Sequence, residues 1–394
     1  MKILMVNKFL YPVGGAEQYM FSIANELEKE GHEIQFFGTD SKKNIVRNDW
    51  NILTKSYEDQ ILFNPFSLIY SKNAKMKMLN LLSLYKPDIV HMNNISFHLT
   101  SSIIDACKEK NIPVIMTIHD PQLVCCNHMF YRYEDKKVCT ECLDGNFKHC
   151  LEHKCLHGSY LKSYLAYRES QLTHNLKKYD YVSYFIVPSL FLKNKLVDGG
   201  YDKNKLICLH NPIPNSLKKI ISKKDDYILY YGRISQEKGI EILIDNLPKD
   251  INLIIAGKGP LEDKVKNKSN INYVGFKTGD ELNNLISKAK LTVYPSIWYE
   301  NCPLSIVESI YLGTPVVATN QGGIPELVKD NVTGLLFDIN NPKDLSIKIK
   351  QLFYSTDYDC YVKNCLCDKQ INIRDYCSTL SSIYERCILN EKNN

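Results

Sequence analysis

A chain of 394 residues, 44% hydrophobic and 24% charged, is long enough for two ordinary domains with cores of their own, which excludes a disordered or fibrous polymer. A formal net charge of +5 is too dilute for a dedicated nucleic-acid binder, so no nucleic-acid partner is expected. It suits phosphorylated ligands or an anionic surface. The apolar run at residues 1–6 is too short for a signal-peptide core, and no run approaches a membrane span, so a cytoplasmic location is expected.

From the N-terminus, apolar runs at 3–6 and 34–37 flank a segment with Ala16, Tyr19, Met20, Ile23, Ala24 and Leu27 at helical spacing. This strand–helix–strand unit predicts a parallel sheet with a right-handed crossover. Gly14-Gly15-Ala16-Glu17 falls between the first strand and the first helix. Glycines there let backbone approach a ligand, and a helix N-terminus offers free N–H groups to an anion. Lys72, Lys75 and Lys77, interleaved with Met76 and followed by Met78, could touch lipid headgroups; the plainer reading is a solvated helix face.

Further strands are expected at 89–91, 114–118 and 185–187, and His119-Asp120 ends the second of these. Asn211-Pro212-Ile213-Pro214-Asn215 and the Lys-rich stretch to Asp226 read as a linker, with the domain boundary near Pro212. A second alternating series follows, with strands at 227–231, 253–256, 271–274, 291–294, 316–318 and 335–337. Nearly every strand ends in Gly, Ser, Thr or Asn. Open α/β sheets bind ligands beyond such carboxyl ends.

Three constellations carry chemistry in this second half. Gly232-Arg233 ends a strand and Lys238-Gly239 follows closely. Arg as a planar fork and Lys as a point charge can clamp a diphosphate. Glu300-Asn301-Cys302-Pro303-Leu304-Ser305-Ile306-Val307-Glu308 places Pro303 in the first turn of a helix and Glu308 beyond it. The two carboxylates can take sugar and ribose hydroxyls, with the helix N-terminus toward phosphate between them.

These pieces, with His119-Asp120, Gly313-Thr314-Pro315-Val316-Val317-Ala318 and Gly322-Gly323-Ile324-Pro325-Glu326, together resemble the retaining family-4 glycosyltransferases of bacterial cell-surface polysaccharide assembly. They occur in that family's order across most of the chain. The resemblance implies the GT-B fold: two Rossmann-like domains facing across a cleft, at 1–212 and 213–375. A last segment, 376–394, would return as a helix to the first domain. It implies a nucleotide-sugar donor, a UDP-sugar first and a GDP-sugar second, and a lipid-linked or saccharide acceptor at the cytoplasmic face of the inner membrane.

In the roles so implied, Arg233 and Lys238 hold the diphosphate, Glu300 contacts the transferred sugar and Glu308 binds the ribose. Backbone at Asn301, Cys302, Pro303 and Leu304 assists, and Gly14 and Gly15 let the first loop approach. His119 positions the reacting sugar rather than acting as a general base. The acceptor attacks on the leaving-group side with the departing phosphate as base, and no catalytic metal is required. A catalytically silent partner of a transferase complex, or a zinc-stabilised interaction module, is the alternative. Retention of Arg233, Lys238, Glu300 and Glu308 weighs against it.

The stretch 121–158 is a cysteine-rich insert directly after His119-Asp120. Cys125, Cys126, Cys139, Cys142, Cys150 and Cys155 crowd it, and Cys139-Thr140-Glu141-Cys142 has zinc-knuckle spacing. The segment is too polar to build its own core, so a structural zinc on Cys139, Cys142 and two of Cys125, Cys150 and Cys155 is expected. His128, His149, His153 and His157 add possible ligands, and free thiols without metal, or disulfides formed by later oxidation, are the plainer alternatives.

Overall fold

The computed structural model describes residues 1–55, 64–214, 217, 219, 222–266 and 269–392. Asn215 of the expected linker lies outside them.

The chain divides into two compact units. The first combines most of residues 1–210 with 373–394, and the second is built on residues 211–372. The break after His210 falls just before the Pro212 boundary expected from the sequence. Residues 211–214 of the linker segment belong to the second unit, where Ile213 N donates to Ile371 O at 2.9 Å.

The main sheet of the first unit has six strands: β1 (Lys2–Val6), β2 (Glu33–Phe37), β3 (Ile89–Met92), β4 (Val114–Thr117), β5 (Tyr184–Val187) and β6 (Leu206–Cys208). They lie side by side as β6-β5-β4-β3-β1-β2, every pairing parallel. β3 and β4 are buried along their whole length. That explains why they read as unbroken apolar runs rather than alternating ones. The order reverses at β1, so β1 and β3 flank a topological switch point.

The second unit repeats the plan with β7 (Asp225–Tyr231), β8 (Asn252–Ala256), β9 (Ile271–Gly275), β10 (Ala289–Tyr294), β11 (Val316–Thr319) and β12 (Gly334–Phe337). Their order is β9-β8-β7-β10-β11-β12, again all parallel. Here the switch point lies between β7 and β10. One core packs Ile228, Leu253, Leu291 and Val317 on one side of this sheet. Another packs Leu229, Ile306, Ile310 and Val316.

The C-terminal helix Ile373–Lys392 belongs to the first unit, as expected, and starts three residues earlier than read from the sequence. Tyr376 OH meets Tyr19 OH of the first helix (Gly15–Lys29) at 2.7 Å. Tyr384 OH meets His91 Nδ1 of β3 at 2.7 Å. Both contacts are fully buried, so they tie this helix to the sheet with satisfied polar groups. Among the described residues, no helix is long and apolar enough to cross a membrane.

The basic cluster on the helix Lys72–Tyr85 is less of a patch than its sequence suggests. Met78 points into the core and Lys75 pairs with Glu109. Met76 alone of the two methionines is exposed.

Candidate donor site

In the second unit the loops after β7 and β10 leave the sheet on either side of its switch point. After β7, Gly232 has φ 143°, and Arg233 follows with a side chain 64% exposed. The guanidinium lies 3.9 Å from Glu237 Oε1, which Ser235 Oγ already holds at 2.6 Å. Arg233 is therefore a loosely tethered cation at a strand end.

Lys238 is the opposite. Its ammonium donates to Glu300 Oε1 at 2.6 Å and lies 4.8 Å from the Trp298 ring centre. Ser296 Oγ donates to the same oxygen at 2.6 Å. Burial alone would push the Glu300 carboxyl up. The Lys238 charge and these hydrogen bonds outweigh it and hold the carboxyl below its ordinary range.

Two glycines make this arrangement possible. A Cβ on Gly239, at φ 70°, would meet Pro295 O at 1.8 Å, so only glycine lets the Lys238 turn seat against the end of β10. A Cβ on Gly322, at φ 62°, would meet Glu300 O at 2.6 Å. Next to it, Gly323 N donates to Glu300 O at 2.7 Å. The Gly322-Gly323 turn thus fixes the backbone of Glu300 from behind.

The helix Leu304–Tyr311 begins one residue later than expected: Pro303 is its N-cap rather than its first-turn residue. Glu308 is half-buried on that helix beside Tyr231. Burial pushes its carboxyl up to about 7, with the Tyr231 hydroxyl acting in the other direction. Tyr231 itself donates to Ser305 O. Asn301, Pro303 and Leu304 are half-buried at the helix entrance. Cys302 faces inward: its sulfur takes the Asn211 amide at 3.4 Å and its carbonyl the Asn211 side chain at 2.9 Å. Its side chain anchors the loop, leaving backbone as what this residue can offer a ligand.

The first unit has its own cluster at the β1/β3 switch point. Asn93 follows β3, and its Oδ1 lies 2.9 Å from His119 Nε2. Tyr19 packs edge-on against the His119 ring at 4.9 Å. Burial lowers His119 to about 3, so the imidazole is neutral at physiological pH and acts as a hydrogen-bonding group. Gly14 and Gly15 are exposed at the start of the first helix. Glu17 accepts from Gly14 N and from Asn7 Nδ2, both at 3.0 Å. A Cβ at Gly14 would meet nothing closer than 3.8 Å, and its backbone is extended, so folding does not demand glycine there.

In the insert, Cys125 and Cys150 are buried and Cys139, Cys142 and Cys155 half-buried, all as free thiols. Cys126, absent from the expected ligand set, lies against Cys142 and Cys150.

Two family models divide the chain: "Glycosyltransferase Family 4" over residues 13–216 and "Glycosyl transferases group 1" over 214–360. The chain belongs to glycosyltransferase family 4. An uncharacterized glycosyltransferase of Methanocaldococcus jannaschii is 26% identical over 388 residues, 92% of each chain. An uncharacterized 42.6 kDa protein in the cps region of Klebsiella pneumoniae is 24% identical over 354 residues, 83% of this chain and 87% of that one. Among solved structures, Anabaena HepE in complex with UDP and glucose superposes with a TM-score of 0.65 at 17% identity, over 98% of this chain and 100% of that one. Sucrose-phosphate synthase of Thermosynechococcus elongatus gives 0.71 at 16% identity, over 99% of each. The fold of this glycosyltransferase is GT-B, and it is an enzyme.

Asn93, Ser296 and Trp298 were not singled out from the sequence, and Tyr19 was read only as one of the residues at helical spacing in the first helix. Ser296 and Trp298 follow a predicted strand directly, which is the signal that would have found them. Asn93 carries no motif; only its place one residue beyond β3 marks it.

Proposed function

We propose that this glycosyltransferase transfers a sugar from a UDP-sugar to a lipid-linked or saccharide acceptor in cell-surface polysaccharide assembly, with retention and without a catalytic metal. The observation that carries the donor reading is the pairing of two unlike cations at the β7/β10 switch point. Arg233 is exposed and weakly held, whereas Lys238 is locked on Glu300. Such a place suits a diphosphate, which needs a fork that can close on it and a fixed charge beneath it. Arg233 and Lys238 would stabilise the leaving diphosphate as its charge develops. Glu300 would take a hydroxyl of the transferred sugar and Glu308 the ribose. Asn301, Cys302 and Leu304 would offer backbone N–H groups where they are not already used, while Pro303, which has no N–H, would set the turn that presents them.

In the first unit, the absence of any folding demand for glycine at position 14 supports a loop kept bare for a ligand. His119, neutral and held by Asn93 and Tyr19, suits positioning of the reacting sugar. The UDP complexes of HepE support uridine over guanosine in the donor. The cps-region relative supports a polysaccharide role and, with it, a cytoplasmic site of action at the inner membrane.

A panel of nucleotide sugars, scored for slow donor hydrolysis and for thermal stabilisation with and without EDTA, tests this reading. One UDP-sugar should be hydrolysed and should raise the melting temperature, EDTA changing neither. Dependence on an added divalent ion would sink the metal-free chemistry. Silence toward every donor would sink the donor assignment.

A further inference from the structure

The cysteines of the insert take no part in the donor site, yet Cys125, Cys126, Cys139, Cys142, Cys150 and Cys155 all line one cavity of about 10 Å³ in the first unit. The local core is thin: Cys126, Phe147, Cys150 and Ala166 form its buried centre. Sulfur occupies much of the space that hydrocarbon fills in an ordinary core.

The backbone sorts these sulfurs into two kinds. Cys125 Sγ accepts from the amides of Asn127, Met129 and Phe130. Cys139 Sγ accepts from the amide of Glu141, and Cys142 Sγ from that of Cys126. Burial raises the Cys125 and Cys139 thiols, and the Cys126 thiol together with burial raises Cys142; the amides beside them offset part of that rise. The Cys126 and Cys150 thiols donate to backbone carbonyls, Phe147 O at 4.0 Å and Ser163 O at 3.9 Å, whereas the Cys125 thiol donates to a side chain, Asn127 Oδ1 at 2.9 Å; each of these bonds requires the proton. Cys155, on the turn after the helix Lys148–Glu152, lies against Cys150 at the cavity wall.

A second feature of the same wall points to an anionic centre. Arg132 pairs through its terminal nitrogens with Asp135 at 2.9 Å and Glu141 at 3.4 Å. Its Nε is enclosed and has no acceptor among the described residues. An enclosed donor without an acceptor costs about 1–3 kcal/mol, so a fold that keeps one has a use for it.

We propose that the insert binds one Zn²⁺ through the thiolates of Cys125, Cys139, Cys142 and Cys155. Four thiolates on one divalent ion leave a net charge of −2, the acceptor chemistry that Arg132 Nε lacks. All four positions are closed, so the ion is structural and holds the insert folded. Zinc is favoured over oxygen-seeking cations because every donor is a soft sulfur. Among the described residues, these sulfurs do not already lie within 4.8 Å of one another as a group. The ion therefore draws them inward to Zn–S bonds of about 2.3 Å. One proton leaves each thiol, and Cys125 gives up its bond to Asn127 Oδ1. Cys126, at the centre of the thiol contacts, remains a protonated packing residue.

The test uses the full chain, purified without added metal or chelator. Zinc is measured by plasma mass spectrometry and by release to a chromogenic chelator on thiol alkylation. One zinc per chain is expected, freed by alkylation. Cys139→Ser and Cys142→Ser should each lower the content by about tenfold or more, whereas Cys126→Ser and Cys150→Ser keep it. If the serine variants fail to fold, Co²⁺ added to chelator-treated wild-type protein gives a second readout: a thiolate-to-cobalt charge-transfer band that Zn²⁺ abolishes. A chain that purifies without metal and takes up no Co²⁺ would overturn the proposal. Loss of zinc in Cys126→Ser and Cys150→Ser with retention in Cys125→Ser and Cys139→Ser would overturn the ligand set. Stabilisation by UDP, measured in parallel, reads the second unit separately, so failure of the donor reading and failure of the zinc reading give different results.

Discussion

Lys238 and Glu300 form an ion pair with side chains only 20% and 9% exposed. Removing one partner strands the other charge, at a cost of about 3–5 kcal/mol. Lys238→Met should therefore lower both the melting temperature and the transfer rate. Arg233→Ala should leave the melting temperature unchanged, because its side chain is exposed, while transfer falls by about 10²–10³-fold. Denaturant melts beside steady-state rates separate the two. A destabilised Arg233→Ala, or a Lys238→Met of normal stability, would show that the two cations have been assigned the wrong characters. Glu308 adds a pH signature. Its folded carboxyl titrates at about 7, above the ordinary 4.5. It contributes stability fully below pH 4.5 and loses that contribution as pH rises through about 7. Glu308→Gln should thus relatively stabilise the ligand-free protein at pH 8 over pH 5, read from melting temperatures at the two pH values.

At the scale of elements, the C-terminal helix is held by a buried chain of hydroxyls and imidazole. Tyr376 meets Tyr19, Tyr19 OH meets Thr117 Oγ1 at 3.1 Å, and Thr117 Oγ1 meets His91 Nε2 at 2.8 Å. Tyr376→Phe leaves Tyr19 short of a partner and should cost about 1–3 kcal/mol. Because the same Tyr19 ring packs on His119, transfer should also slow. A Tyr376→Phe variant with wild-type stability would contradict the account of this network. None of these contacts was readable from sequence, since they join residues 26 to 357 positions apart through side chains with no shared motif. The strands of the two main sheets other than β6 were readable, because parallel strands buried on both faces must be runs such as Ile89–Met92; β6 is a three-residue edge strand, half-buried at two of its positions, and gives no such run. The motif glycines at 239 and 322 were readable as motifs, but their reason is a close approach to Pro295 and Glu300 that only coordinates reveal. Pro303 was misplaced by one residue because proline suits both the cap and the first turn. Cys126 was counted in the cysteine cluster, but its place against Cys142 and Cys150 was not readable, because knuckle spacing draws attention to Cys139 and Cys142.

For the whole molecule, buried and half-buried histidines and carboxyls pull stability in opposite directions along the pH axis. Burial lowers His91 and His119 to about 3 and His98 to about 4. Their contributions are present above the unfolded value of 6.5 and fade as pH falls below it. Burial raises Glu169 to about 8 and Glu308 to about 7. Those contributions fade as pH rises through these values. Stability should peak between about pH 6 and 7, and a melting profile still rising at pH 8 would contradict this balance.

The central claim is that the β7/β10 switch point of the second unit holds the diphosphate of a uridine donor. Calorimetric titration of UDP into the wild-type protein and into Arg233→Ala tests it most directly. The account predicts saturable binding by the wild type with EDTA present, weakened by about tenfold or more in the variant. Equal affinity in the two proteins, or no binding by either, would contradict it.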